Sequence, residues 1–283
     1  MGHVASKSFA IVANRKDTGS MKISLRLSII LLLSLVWSFR VLAQGRADIF
    51  VATIEGIKHS VIPVLCGQFD LTGQFSIQLI DGTGFFVNAD GDFVTAGHVI
   101  ADLKTTSLQR PTPCVMAIYV PRDGWQREAV KFDVKWFVFG DCKTDSTLDL
   151  AVCRPVQKLP FTINPVVLED SRPQDGSPVA FTGFPLGSVE PLSSRCNIAA
   201  YRGAADSEGS REFVLDKGTW PGASGSPIYD DHGAVIGIML ARGLADSVGT
   251  SFGRPSHFIV KFLRDNGISL TTSEDRPKKR KKK

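Results

Sequence analysis

The 283-residue sequence predicts an antiparallel all-β fold, barrel or sandwich, with a helix at its C-terminal end. Three observations carry this. From Val61 onward short apolar stretches recur with turn residues between them. Two pairs of these stretches are joined by Gly-containing hairpin loops, and helical periodicity emerges only near the end of the chain.

Taken in order, Phe75-Ser76-Ile77-Gln78-Leu79-Ile80 alternates with period two, and Asp81-Gly82 reads as a turn. Phe85-Phe86-Val87 and Phe93-Val94-Thr95 flank Asn88-Ala89-Asp90-Gly91-Asp92, a hairpin loop. Further strands are expected at Val115–Val120, Leu148–Val152, Val179–Gly183 and Phe213–Leu215. A second hairpin joins Pro227-Ile228-Tyr229 to Ala234–Leu240 through Asp230-Asp231-His232-Gly233. Between Val61 and this point the pattern offers almost no helix. Phe258, Ile259, Phe262 and Leu263 then recur at helical spacing, with Ser256 placed to cap the start and Asn266-Gly267 to end it.

The net charge of +5 is a property of the two ends. Residues 1–43 carry +5 and the last eight residues +7, which leaves the body at −7. An acidic body argues against a globular nucleic-acid-binding face. The N-terminal charge flanks Leu27–Phe39, a 13-residue apolar run that is short against the roughly 20 residues of a spanning helix. With the basic segment Met21–Arg26 before it and Val41-Leu42-Ala43 after it, the run reads as a signal peptide cleaved before Gln44. Met21 opens that peptide so well that the start lies there or at Met1. An exported protein, periplasmic or extracellular, is expected; the alternative is a membrane anchor left uncleaved. Residues 44–60 form a lead-in, 61–267 the globular domain and 268–283 a disordered basic tail, with seven of its last eight residues Lys or Arg. Such a run is expected to stick weakly to polyanions and to no specific nucleic acid. Of the five cysteines (Cys66, Cys114, Cys142, Cys153 and Cys196), none has metal-ligand spacing, so no metal and no cofactor is predicted. In an oxidising compartment one or two disulfides form and one cysteine is left over, the pairing being open.

Three segments carry chemistry. Thr95-Ala96-Gly97-His98-Val99 closes a strand, Thr147-Leu148-Asp149-Leu150-Ala151-Val152 runs from an acid into an apolar strand, and Gly222-Ala223-Ser224-Gly225-Ser226-Pro227 is a glycine-rich turn. A serine hydroxyl needs a neighbouring base to become a nucleophile, and histidine supplies one. A carboxylate on the other ring nitrogen fixes the tautomer, and tight glycine turns supply backbone N–H groups for an oxyanion.

In these segments the sequence resembles the trypsin-like (chymotrypsin-fold) serine proteases, and most nearly their bacterial HtrA-like and glutamyl-endopeptidase-like branch. The resemblance runs over roughly residues 61–266 and includes Gly82-Thr83-Gly84-Phe85-Phe86-Val87, Asp149-Leu150-Ala151-Val152, Gly183-Phe184-Pro185-Leu186-Gly187 and Gly233–Ile238. The order His98, Asp149, Ser224 matches this clan and neither subtilisin nor the α/β-hydrolases. The resemblance implies two six-stranded antiparallel β-barrels with the site between them, and a serine endopeptidase acting on proteins or peptides. It implies Ser224 as nucleophile, His98 as base and then acid, and Asp149 as orienting acid, with the N–H groups of Gly222 and Ser224 forming the oxyanion hole. Asp141 and Asp145 are read as loop acids. Six residues before the nucleophile, Gly218 stands at the base of the substrate pocket, with Ile238, Met239 and Leu240 as its opposite wall, which implies cleavage after small or medium apolar residues. His257 is a second candidate for reading a substrate side chain. Ser226 replaces a glycine of the usual motif, and Ala223 stands where zymogen-activated members carry an Asp. Unlike most members of that branch, the chain is expected to hold a protease domain without a PDZ domain. The alternative function is that of a catalytically inactive protease-fold binding protein.

Overall fold

The computed structural model describes residues 48–109, 114–121, 134–202, 212–240 and 249–270. The expected signal peptide and the basic run at 276–283 lie outside them. Helix α1 (Ile49–Lys58) buries Phe50 and Ile57, and the Thr53 hydroxyl donates to the Asp231 carbonyl at 2.9 Å. The expected lead-in thus forms a helix that supplies two core side chains ahead of Val61.

Strands β1 (Val61–Phe69), β2 (Phe75–Phe86), β3 (Phe93–Ala96), β4 (Val115–Pro121), β5 (Val134–Asp145) and β6 (Leu150–Pro155) close into a barrel in the order β1-β2-β3-β6-β5-β4. The expected turn at Asp81-Gly82 is instead a bulge within β2. Val64 pairs with Gly82 and its neighbour Leu65 with Ile80, so Asp81 is the extra residue. Its turn-forming composition signals irregular backbone, and a bulge satisfies that signal as well as a reversal would. Between β3 and β4 the chain makes helix α2 (Gly97–Gln109), which the sequence pattern did not announce. Asp141 and Asp145 belong to β5 rather than to a loop, Asp141 with φ 46° beside the register shift between Gly140 and Lys143.

After the two-residue strand β7 (Val167–Leu168), the second barrel uses β8 (Pro178–Gly183), β9 (Leu192–Arg202), β10 (Glu212–Leu215), β11 (Pro227–Tyr229), β12 (Ala234–Met239) and β13 (Ser251–Pro255). These run β11-β8-β9-β10-β13-β12 and close through β11 pairing with β12, while β7 adds a parallel strand to β12. The expected pair of six-stranded antiparallel barrels is the fold, with β7 as an addition. Alternation along the second-barrel strands splits their side chains between two cores. Phe181, Ile228, Ile236 and Met239 fill the second barrel, whereas Ala180, Tyr229, Val235 and Ile238 join the core that contains the first barrel's side chains. Ile236 and Ile238 part company because the register shift opposite Ile228 and Tyr229 makes Ile236 an extra residue in β12. Burial on both faces explains why Ala234–Leu240 reads as one continuous apolar run.

Helix α3 (Ser256–Asp265) buries Phe258, Ile259, Phe262 and Leu263 as the spacing predicts, and Asn266 and Gly267 (φ 70°) end it. Ser256 does not cap it. Pro255 holds the cap position, and the Ser256 hydroxyl donates to the Glu169 carbonyl. The packed chain runs past Gly267, since Ile268 and Leu270 pack on the core and Asn88 Nδ2 donates to the Ser269 carbonyl at 3.0 Å. Residues 268–270, expected as the start of the tail, thus belong to the packed chain.

Disulfides join Cys66 to Cys114 and Cys142 to Cys153, both within the first barrel, and Cys196 is the buried cysteine left over. Burial first, and then the charge of Asp216, push the Cys196 thiol up to about 12, so it is inert as a nucleophile. No helix among the described residues is long and apolar enough to cross a membrane.

Candidate active site

His98 is the second residue of α2, placed where β3 ends. The Gly97 N–H donates to the Asp149 carbonyl at 2.9 Å, which ties that strand end to the residue before β6. Asp149 is 7 % exposed and takes a left-handed backbone, φ 55°, a conformation aspartate tolerates better than most residues. Asp145 Oδ1 accepts from the Thr147 and Leu148 N–H groups at 2.8 and 2.9 Å, and the Leu148 carbonyl accepts from Arg254 Nε at 3.0 Å. The turn carrying Asp149 is thus held by β5 from one barrel and β13 from the other.

Asp149 grips His98 twice. Its Oδ1 accepts from the His98 backbone N–H at 2.8 Å, and its Oδ2 lies 2.9 Å from His98 Nδ1. A carboxylate only accepts, so Nδ1 carries the ring proton and Nε2 presents a lone pair. That lone pair faces Ser224 Oγ at 2.8 Å. The hydroxyl therefore donates to the imidazole, the arrangement a base needs to take its proton.

Ser224 is 5 % exposed and sits in the turn before β11. Gly225 N–H donates to the Met239 carbonyl, and Met239 N–H to the Ser226 carbonyl, both at 2.8 Å. Gly222 has φ 93°, and a Cβ there would lie 2.4 Å from the Phe184 carbonyl oxygen, so only glycine fits. Among the described residues, neither the Gly222 N–H nor the Ser224 N–H has an acceptor. Two unengaged donors two positions apart, beside a serine hydroxyl bonded to an imidazole, can receive developing negative charge.

The other expected site residues fare differently. Gly218 is half-buried, and a Cβ built on it would lie 3.4 Å from Gly249. Ile238, Met239 and Leu240, expected on the pocket wall, are 0 %, 0 % and 3 % exposed and serve as core side chains. Alternation sends Met239 into the second barrel and the other two toward the first. Asp216 is committed elsewhere. Its carboxylate accepts from the Asn197 side chain at 2.7 Å and from the Asn197 backbone N–H at 2.6 Å, contacts that hold its carboxyl below the usual range. His257 lies 3.9 Å from Asp170 and stacks on Phe258.

Sequence reasoning missed Arg254 and Asp81. A lone arginine inside the strand Phe252–Pro255 was the signal for the first. For Asp81 the bulge is what matters. One of its carboxylate oxygens is buried without a hydrogen-bond partner among the described residues. Burial, and next the charge of Asp102, push its carboxyl up from 3.8 to about 6, against the opposing pull of His98. A raised carboxyl binds its proton more tightly folded than unfolded, so it stabilises the fold fully below about pH 4 and ceases to as pH rises through about 6. Asp81→Asn is expected to stabilise the protein by ~1–2 kcal/mol at pH 7.5, once partial solvent screening is allowed for. The gain should shrink toward pH 4. Denaturant unfolding at both pH values checks this; an equal effect at the two would refute it.

A family model for the trypsin-like peptidase domain matches residues 82–238. The chain belongs to the trypsin-like peptidase family. Among curated relatives of this trypsin-like peptidase, mitochondrial serine protease HTRA2 of Bos taurus is 27 % identical over 221 residues, covering 77 % of this chain and 42 % of that protein. A probable periplasmic serine endoprotease, DegP-like, from Bartonella henselae is 27 % identical over 194 residues, covering 66 % of this chain and 34 % of that one. The chain spans about two fifths of the length of the first of these relatives and a third of the second. Two crystal structures share the fold. Deg5 superposes with a TM-score of 0.59 at 20 % identity, covering 78 % of this chain and 97 % of that one. The active form of the Rv3671c protease from M. tuberculosis gives 0.54 at 18 %, covering 78 % and 86 %.

Proposed function

We propose that this trypsin-like peptidase is an exported serine endopeptidase that hydrolyses peptide bonds in proteins or peptides. The observation that carries the reading is the unbroken relay from Asp149 through His98 to Ser224, at 2.9 and 2.8 Å, beside two amides without acceptors. Ser224 Oγ attacks the scissile carbonyl carbon as His98 Nε2 takes its proton, and Asp149 stabilises the imidazolium so formed. The carbonyl oxygen, now an oxyanion, is received by the Gly222 and Ser224 N–H groups. The imidazolium then protonates the departing amine, leaving an acyl-enzyme. Water, deprotonated by His98, releases the acid and returns the serine. Labelling of the secreted protein by a fluorophosphonate probe, with Ser224→Ala as control, tests nucleophile and export together. An unlabelled wild type, or labelling of the alanine variant at the wild-type rate, would refute the nucleophile; absence from the exported fraction would refute the export.

Two disulfides support export, since such bonds persist in oxidising compartments. A relative named as periplasmic supports it too. For specificity, Gly218 offers no side chain at the proposed pocket base and Asp216 is engaged by Asn197, so neither of these described residues balances a buried substrate cation. Cleavage after Val, Ala or Leu is expected from a positional-scanning peptide library; dominant Arg, Lys or Glu at the cleaved position would exclude it. The basic run at 276–283 is proposed to confer salt-sensitive adhesion to polyanions and to take no part in catalysis. Deleting it should weaken retention on a polyanion column while peptide hydrolysis is unchanged.

A further inference from the structure

We infer that Thr83 is the positioning residue that fixes the oxyanion turn, an inference that rests on the peptidase reading. Thr83 lies in β2, buried, one residue before the last pairing of β2 with β3 at Gly84 and Thr95. Beyond that pair β3 turns away into α2, and the vacated edge of β2 is taken up by the second barrel. The Thr83 N–H donates to the Ser224 carbonyl at 2.8 Å. Its hydroxyl donates to the Gly222 carbonyl at 2.8 Å and accepts from the Phe184 N–H at 2.9 Å. Its carbonyl accepts from the Thr95 hydroxyl at 2.7 Å. Every polar atom of the residue is used, and three of the four bonds reach the turn or the segment packed behind it.

The segment behind the turn completes the clamp. Leu186, in a left-handed backbone with φ 58°, donates its N–H to the Pro221 carbonyl at 2.7 Å. A trans peptide is planar, so its C=O and N–H point in opposite directions. Holding the Pro221 carbonyl from one side therefore aims the Gly222 N–H to the other. The Thr83 hydroxyl binds this segment, through Phe184, and the Gly222 carbonyl at once. One hydroxyl thus couples the carbonyls on both sides of Gly222, and a bare carbonyl there would leave the turn free to rotate its donors. Thr83 touches no substrate atom; it acts through Gly222 and Ser224.

The test is steady-state kinetics on Thr83→Val, Thr83→Ala and Thr83→Ser. Valine keeps the shape and removes the hydroxyl. It is expected to lower kcat by roughly 10- to 100-fold, the usual loss for a residue supporting a site from behind, with KM changed less than about twofold. Affinity for a peptide aldehyde, which forms a tetrahedral adduct, should fall in step with kcat. Serine and alanine both lack the methyl group and differ only in the hydroxyl, so serine should restore most of the activity that alanine loses. That pair decides the matter if the valine variant does not fold. A hydrolytic wild type with Thr83→Val at full kcat, or with serine as impaired as alanine, overturns the inference alone. A wild type that neither hydrolyses peptides nor takes the fluorophosphonate overturns the peptidase reading and the inference with it.

Discussion

Replacing Ser224 with alanine is expected to lower kcat by roughly 10⁴–10⁶, and replacing His98 by a similar factor. The two losses should not add. With Nε2 only 2.8 Å from Oγ, the proposed base and nucleophile would act in one step, so removing either would remove that step. The double variant should therefore be little worse than either single one, the residue of activity coming from the two amide donors and substrate binding. Asp149→Asn should lose somewhat less, because the amide still accepts through its oxygen from the His98 backbone N–H while it mispairs with the ring. Single-turnover and steady-state rates on one peptide check all four proteins. Near-normal hydrolysis by Ser224→Ala would remove that residue from the chemistry.

Gly225→Ala is expected to destabilise the domain by at least ~4 kcal/mol, a large part of the stability of a domain this size. Gly225 has φ 87°, and a Cβ there would lie 1.9 Å from the Thr83 carbonyl oxygen and 2.6 Å from the Thr95 hydroxyl. The carbonyl belongs to β2 and cannot retreat without breaking the first barrel. The strained backbone adds about 1–3 kcal/mol on its own. Denaturant unfolding measures the loss; a variant within about 1 kcal/mol of wild type would show that the two barrels separate more freely than this contact implies.

Much of the fold was legible because hairpin loops and alternation are local signals. The loop Asn88–Asp92 is held by Asn88 Oδ1 accepting from the Asp90 and Asp92 N–H groups, chemistry its composition announces. Helix α2 was not legible. Only Val99, Ile100 and Leu103 of its thirteen residues are buried, too narrow a face to set a period, and adjacent threonines at 105 and 106 weaken its propensity. Ser256 looked like a cap because residue type marks a helix start but not which of two neighbouring positions the backbone uses. The residue types of the site were readable from motif order, and their meeting was not. It depends on Gly97 bonding to Asp149 across 52 positions and on β2 lending its edge to a turn from the other barrel. Thr83 sits unremarked in a glycine-rich strand, because three of its four hydrogen bonds are with backbone groups more than a hundred residues away.

Both covalent cross-links belong to the half of the molecule that bears His98 and Asp149, while the half bearing Ser224 has only the solitary thiol of Cys196. Spontaneous opening is thus easier in the uncross-linked half, and it is there that extended chain becomes available to a protease. Such an opening would carry Ser224 away from His98, so a molecule made cleavable by this route would lose the means to cut. Self-digestion then requires an intact second molecule. Its initial rate should grow with the square of the enzyme concentration, and dilution is the condition under which such an enzyme keeps longest.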